Sequence, residues 1–315
     1  MKAQTYFSIE SARGHFGPCA VTIGNFDGVH LGHQALLQAT CAYARENKIR
    51  PAALTFHPHP AVFVAPDRVP ALICSLEDRL RLLSEAGAEQ ILVLPFDEHL
   101  ALFTPAEFVS RIIVEGLHAQ AVFVGENFRF GHKQAGSTAT LTELGQAHHF
   151  NACFLPPVTY RGKLVSSSAV RHNIASGNVG LAGRLLGRCF SLTGAVVKGH
   201  GIGSRQTVPT LNIKPPSGQI IPRGVYVTQT LEPSSGRSWP SITNSGTRPT
   251  FNGDELTIET FLLAPFDGAP PEHIQIQFRR FIRQEQQFPD ATALKEQILR
   301  DVSRAKAYWR RLSAL

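Results

Sequence analysis

Short apolar runs rich in β-branched and aromatic residues recur at Cys19–Ile23, Ala52–Phe56, Gln90–Leu94, Ala121–Val124 and Ala152–Leu155. Runs of that length predict buried strands, and the three-to-four-residue apolar spacing between them predicts helices of roughly 10 to 15 residues. Strand–helix alternation of this kind predicts a parallel sheet with helices on both faces. A ligand then belongs at the carboxyl ends of the strands.

The pattern changes near Gly180–Cys189. Asn178–Gly187 reads as a short helix ended by glycine, and alternating apolar and polar positions with frequent Gly and Pro follow it. Ile274, Ile276 and Phe278 alternate with Gln275 and Gln277, and Val225 and Val227 form a shorter case. Six or so strands over about 95 residues predict a small antiparallel barrel. After Pro289, Asp290 is placed to cap a helix whose Leu294, Ile298, Val302, Ala305 and Trp309 form an apolar stripe able to pack on the barrel. The expected division is residues 1–186 and 187–315.

Composition narrows the class. The 315 residues are comfortable for two domains, and 43% hydrophobic with 17% charged residues fits a globular chain. Net charge is +7, but the 31 Lys and Arg are scattered and form no long basic block, which favours small phosphorylated ligands over nucleic acid. The five cysteines, at 19, 41, 74, 153 and 189, make no CxxC or other short metal-ligand spacing, and a reduced compartment suits them. No apolar run approaches the ~20 residues needed to span a bilayer, and the N-terminus has no leader-like segment. A cytoplasmic protein without membrane or nucleic-acid partners is expected, its oligomeric state open.

Chemically rich segments follow four of the predicted strands. The first ends in Gly24-Asn-Phe-Asp-Gly-Val-His-Leu-Gly-His33, where His30 and His33 lie three residues apart at a helix start. Unpaired N–H groups beside two imidazoles make an anion site suited to nucleotide phosphates. The second runs into Thr55-Phe-His-Pro-His-Pro60. Its prolines suit a rigid wall for a flat heterocycle better than His57 and His59, which lack partners at a ligand spacing, suit a metal. The others are Gly125-Glu-Asn-Phe-Arg-Phe-Gly131 and Ser166-Ser-Ser-Ala-Val-Arg171. Each segment alone has a structural explanation, such as core filling for Phe128 or a helix cap for Ser166–Ser168. Their convergence on one sheet edge points to a nucleotide site.

In the second half, Gly199, Gly201 and Gly203 would let backbone N–H groups approach phosphates. Thr210 and Asn212, on one strand face, offer oxygen ligands for a hard cation such as Mg²⁺. Neither a Walker P-loop nor a protein-kinase motif set is present.

The segments GNFDGVHLGHQ, TFHPHP, GENFRFG and VSSSAVR resemble, in order and spacing, the FMN adenylyltransferase module of bacterial bifunctional riboflavin kinase/FAD synthetases. GAVVKGHGIG, VPTLNI, PRGVYV, NSGTRPTF, TIETFLL and IRQEQQF resemble their riboflavin kinase module. The resemblance implies a Rossmann-like HxGH nucleotidyltransferase domain followed by a β-barrel kinase domain with a C-terminal helix. It implies ATP, riboflavin and FMN as substrates, FMN and FAD as products, and Mg²⁺. His30 and His33 would stabilise the transition state, with Gly24, Phe26, Asp27, Gly28, Asn127, Ser167, Ser168 and Arg171 around the nucleotide. His57, Pro58, Phe128, Arg283 and Glu285 would contact flavin. Gly199, Gly201, Gly203, Thr210 and Asn212 would hold the second Mg²⁺–ATP, and Glu259 would be the general base. This chain departs from the family at Ser168, usually Thr; at Thr207 and Val208, where Gly and Phe are usual; and at Phe261, where His is common. A slower kinase is the consequence expected.

Other readings stay open on the residues alone. They are an FAD synthetase whose barrel is a flavin-binding scaffold, a non-enzymatic flavin-sensing regulator, and a first domain that adenylylates or cytidylylates another phosphorylated substrate.

Overall fold

The computed structural model describes residues 2–197, 210–214, 217–250, 253–264 and 269–314, without the side chains of 247–250, 253–255 and 313. Internal contacts divide the chain into two compact units, Met1–Ser167 and Ser168–Leu315.

The first unit is a six-stranded parallel sheet. Its strands are β1 (Gln4–Tyr6), β2 (Cys19–Ile23), β3 (Arg50–His57), β4 (Gln90–Pro95), β5 (Ala119–Gly125) and β6 (Asn151–Leu155), in the order β1-β4-β3-β2-β5-β6. The five expected strands are all present. β1 is an addition, an edge strand of three residues too short to show a pattern, paired with Gln90–Leu92. The order of the others reverses direction between β2 and β5, and a ligand crevice opens at such a reversal beyond the carboxyl ends. Successive residues face opposite layers. Leu54 and Leu92 join one core with Val21, Ile23, Val122 and Val124, whereas Ala53, Ile91 and Val93 join another with Leu37 and Leu83. Leu37 comes from α1 (Leu31–Asn47) and Leu83 from α2 (Leu76–Glu85).

In the second unit, α3 (Ser167–Ala175, whose first residue closes the first unit) and α4 (Val179–Leu186) precede the barrel. Asn178 caps α4, and Gly187 ends it at φ 71°. The strands are β7 (Phe190–Val197), β8 (Thr210–Ile213), β9 (Gly224–Leu231), β10 (Ser238–Thr250), β11 (Gly253–Leu262) and β12 (His273–Arg283). They close antiparallel in the order β8-β11-β10-β9-β12-β7.

Ile274, Ile276 and Phe278 are buried as the alternation requires. The Val225/Val227 alternation is different. Tyr226 and Thr228 are buried as well, because both faces of β9 are covered. Val225 and Val227 pack with Ile242 against Ala305 of α5 (Ala291–Ser313). On the opposite face the hydroxyls of Thr228, Thr230, Ser241, Thr243 and Thr260 bond one another at 2.8–2.9 Å. Threonine rather than an apolar residue is tolerated there because each hydroxyl finds a partner.

Asp290 caps α5, its Oδ1 accepting the Ala293 N–H at 2.8 Å. The apolar stripe begins later than expected. Leu294 is exposed, and the buried position near that end is Asp301, which accepts from Arg283 Nε at 2.7 Å and from Gln297. An ion pair rather than leucine fixes this end of the helix on the barrel.

Candidate active sites

The turn after β2 is held in an uncommon backbone path, with Phe26, Gly28 and Val29 all at positive φ (48°, 81° and 40°). Gly28 is required twice over. Its φ disfavours a side chain, and a Cβ would lie 2.7 Å from Ile73 Cγ2. Asp27, buried, clamps the turn: its carboxylate accepts the N–H of Ile73 at 2.9 and 3.0 Å and of Cys74 at 3.3 Å. Ser167 Oγ donates to the Asp27 carbonyl at 3.1 Å, and at Gly24 a Cβ would meet the Phe26 ring at 3.3 Å.

His30 is the N-cap of α1, its Nδ1 accepting the His33 N–H at 3.4 Å. The two imidazoles stack with centroids 3.6 Å apart and planes 18° apart, and the Phe26 ring stands edge-on to His33 at 5.1 Å. Two imidazoles therefore sit where α1 presents its first N–H groups, the positive end of a 17-residue helix.

At the end of β3, Thr55 Oγ1 donates to the Asn25 carbonyl at 3.1 Å, and the Asn25 amide lies 3.3 Å from His59 Nε2. The Asn25 turn and the His57–Pro60 loop are thereby joined. His57 is exposed and precedes a cis Pro58. Desolvation, and behind it the Arg79 charge, lowers its pKa. Asn127 is exposed just past β5, and Phe128 stacks on the buried Phe130 at 5.4 Å. On α3, Ser168 is exposed and Arg171 is half-buried one turn later.

Sequence reasoning passed over Arg79. It lies on the buried face of α2 with Leu82 and Leu83, is 1% exposed, and donates from Nη1 to the Phe56 carbonyl at 3.0 Å. A polar residue at i, i+3, i+4 spacing within an apolar stripe was the available signal.

In the barrel, Asn212 of β8 stands directly opposite Glu259 of β11, and Glu259 stands opposite Asn244 of β10. Directly opposed residues share a face, so the carboxylate lies between two amides, all three half-buried. Asn244 is an addition to the expected set. Thr210 shares that face, and its Oγ1 is buried with no hydrogen-bond partner among the described residues. Phe261, opposite Thr210, packs into the apolar layer beneath α5. Arg283 is engaged by Asp301, the Gln284 carbonyl and the Phe288 ring, and the Glu285 carboxylate fills the space where a Cβ on Gly246 would go. Gly199, Gly201, Gly203, Thr207 and Val208 lie outside the described residues. Among the described residues, no helix is long and apolar enough to cross a membrane.

A parallel sheet bearing a histidine-capped helix after its β2 turn, and a six-stranded barrel bearing a Thr/Asn/Glu face, together define a two-domain nucleotide-using transferase. The family model for FAD synthetase matches residues 13–169, and that for riboflavin kinase matches residues 186–309. The Escherichia coli K12 bifunctional riboflavin kinase/FMN adenylyltransferase is 36% identical over 292 residues, covering 92% of this chain and 93% of that protein. The Pseudomonas fluorescens counterpart is 35% identical over 290 residues, covering 92% of each. A crystal structure titled as a macrolide-efflux protein from Streptococcus pneumoniae shares the fold at TM-score 0.86 and 24% identity, covering 97% of this chain and 99% of that one. The chain belongs to the family of bifunctional riboflavin kinase/FMN adenylyltransferases.

Proposed function

We propose that the chain makes FAD in two steps at two sites: residues 187–315 phosphorylate riboflavin to FMN with ATP, and residues 1–186 transfer AMP from a second ATP to FMN, releasing pyrophosphate. The two family models, ending at residue 169 and starting at residue 186, support this division. The observation that carries the assignment of the first site is the stacked His30/His33 pair at the start of α1. There the imidazoles and helix N–H groups stabilise charge that builds as the FMN phosphate attacks the α-phosphorus of ATP. Gly24, Phe26, Gly28, Asn127, Ser167, Ser168 and Arg171 seat the nucleotide, with Asp27 acting from behind as the clamp of the turn. His57, Pro58 and Phe128 wall the flavin.

In the barrel, Glu259 accepts the proton of the ribityl 5′-hydroxyl as its oxygen attacks the γ-phosphorus. Arg283, the last residue of β12, and Glu285, just past it, border the flavin. Thr210 and Asn212 would hold Mg²⁺, a reading supported by the buried Thr210 Oγ1, which has no hydrogen-bond partner among the described residues, and by the hard oxygen donors of both residues. Bound there, the ion supplies charge neutralisation at the phosphates of ATP. Five cysteines, none of them in a disulfide, support a reducing, cytoplasmic setting.

The test is incubation of purified protein with riboflavin, ATP and Mg²⁺, followed by chromatography of the flavins. FMN appears first and FAD after it. Failure to form FMN from riboflavin, with supplied FMN still converted to FAD, would reduce the barrel to a scaffold.

A further inference from the structure

Arg79 is a guanidinium buried to 1% exposure, and no carboxylate lies within ion-pair distance of it among the described residues. Its Nε has no hydrogen-bond partner among them either. Arginine cannot shed its proton, so the charge persists, and an unpaired buried charge is strongly unfavourable unless something compensates it. The strand ends identify the direction of compensation. Nη1 donates to the Phe56 carbonyl at 3.0 Å and to Thr55 Oγ1 at 3.4 Å, both at the carboxyl end of β3 where the His57–Pro60 loop begins. Thr55 in turn donates to the Asn25 carbonyl, and the Asn25 amide meets His59. One cation thus braces both the turn that starts at Gly24 and the loop beginning at His57.

We propose that Arg79 is a positioning residue for adenylyl transfer: through Thr55 and Phe56 it fixes these two segments, and its uncompensated charge supplies the field into which the FMN phosphomonoester docks. The phosphomonoester is favoured over the ATP phosphates because Arg79 lies under the loop after β3, whereas the histidine turn and the start of α1 follow β2. The proposal rests on the assignment of the sheet half as the FMN-adenylylating half. Wild-type protein that makes no FAD from supplied FMN would refute that assignment without bearing on Arg79.

The experiment measures KM and kcat for FMN and for ATP separately in the FMN-to-FAD reaction, with riboflavin phosphorylation as internal control, for wild type, R79Q and R79K. In R79Q, KM for FMN is expected to rise about tenfold or more, the size of one unit charge acting across roughly 10 Å of protein. KM for ATP rises several-fold less than KM for FMN, the rate of FMN formation stays near wild type, and R79K, which keeps the charge, restores KM for FMN. An unchanged KM for FMN, an equal rise in both KM values, or an R79K as impaired as R79Q overturns the proposal. Should R79Q fail to fold, R79K decides: a wild-type KM for FMN supports the proposal, and a tenfold rise overturns it.

Discussion

The imidazoles of His30 and His33 lie face to face, 3.6 Å between centroids, with His30 Nδ1 accepting the His33 backbone N–H. One ring thereby serves two purposes, capping α1 and lining the anion site. The double variant H30A/H33A should lose FAD formation by about a hundredfold or more, as expected when oriented donors at a reacting phosphate are removed. FMN formation should persist. Because His30 also caps the helix, H30N is the sharper variant: asparagine keeps the cap, and thermal stability should hold while FAD formation falls. Equal loss of both activities would contradict separate sites.

Glu259 stands between Asn212 and Asn244 across the barrel wall. E259Q preserves the shape but removes the proton acceptor, so riboflavin phosphorylation should fall by roughly 10²–10⁴. FAD formation from supplied FMN should be unaffected. T210V, which replaces the orphaned hydroxyl by a methyl, should raise the Mg²⁺ concentration needed for half-maximal kinase rate. A Mg²⁺ titration identical to wild type would remove Thr210 from the metal site.

Arg283 and Asp301 form a 2.7 Å ion pair in which Asp301 is 3% exposed and Arg283 14%. D301A leaves the guanidinium without its partner beneath α5, a loss of about 3–5 kcal/mol. The denaturation midpoint and the rate of FMN formation should fall together. If riboflavin phosphorylation survives at full stability, the pair does not anchor the helix.

His57 is held below the ordinary histidine pKa first by desolvation and then by Arg79. The folded protein therefore binds fewer protons at this ring than the unfolded chain. Its stabilising contribution is present above an unfolded value of about 6.5 and is lost as pH falls through the lower folded value. Imidazole NMR titration should give His57 a pKa below 6.5, and R79Q should move it upward. A wild-type value at or above 6.5 would contradict the shift.

The four inner strands of the sheet, β2 to β5, were legible because each is buried on both sides and reads as an apolar run, and the half-buried edge strand β6 was legible from its apolar Ala152–Leu155 stretch. The edge strand Gln4–Tyr6 was not, since three residues carry no period and only pairing with β4 makes them a strand. Arg79 was hidden for a related reason. It occupies a core position of α2, where a pattern of apolar spacing registers only an interruption. Leu294 misled because the stripe was extrapolated one turn beyond the region α5 covers, where Asp301 and Arg283 do the anchoring.

By itself the sequence determined the two folds, the capped terminal helix and the segments that carry the chemistry, because apolar period, turn residues and motif spacing are local properties of the chain. Tertiary structure decided which residues of different elements meet. Pairing of β10 with β11 set Asn244 beside Glu259, burial turned Asp27 inward as a clamp, and the meeting of α2 with β3 left Arg79 a charge without a counterion among the described residues. Those relationships depend on pairing and burial between residues on different elements, which no local pattern records.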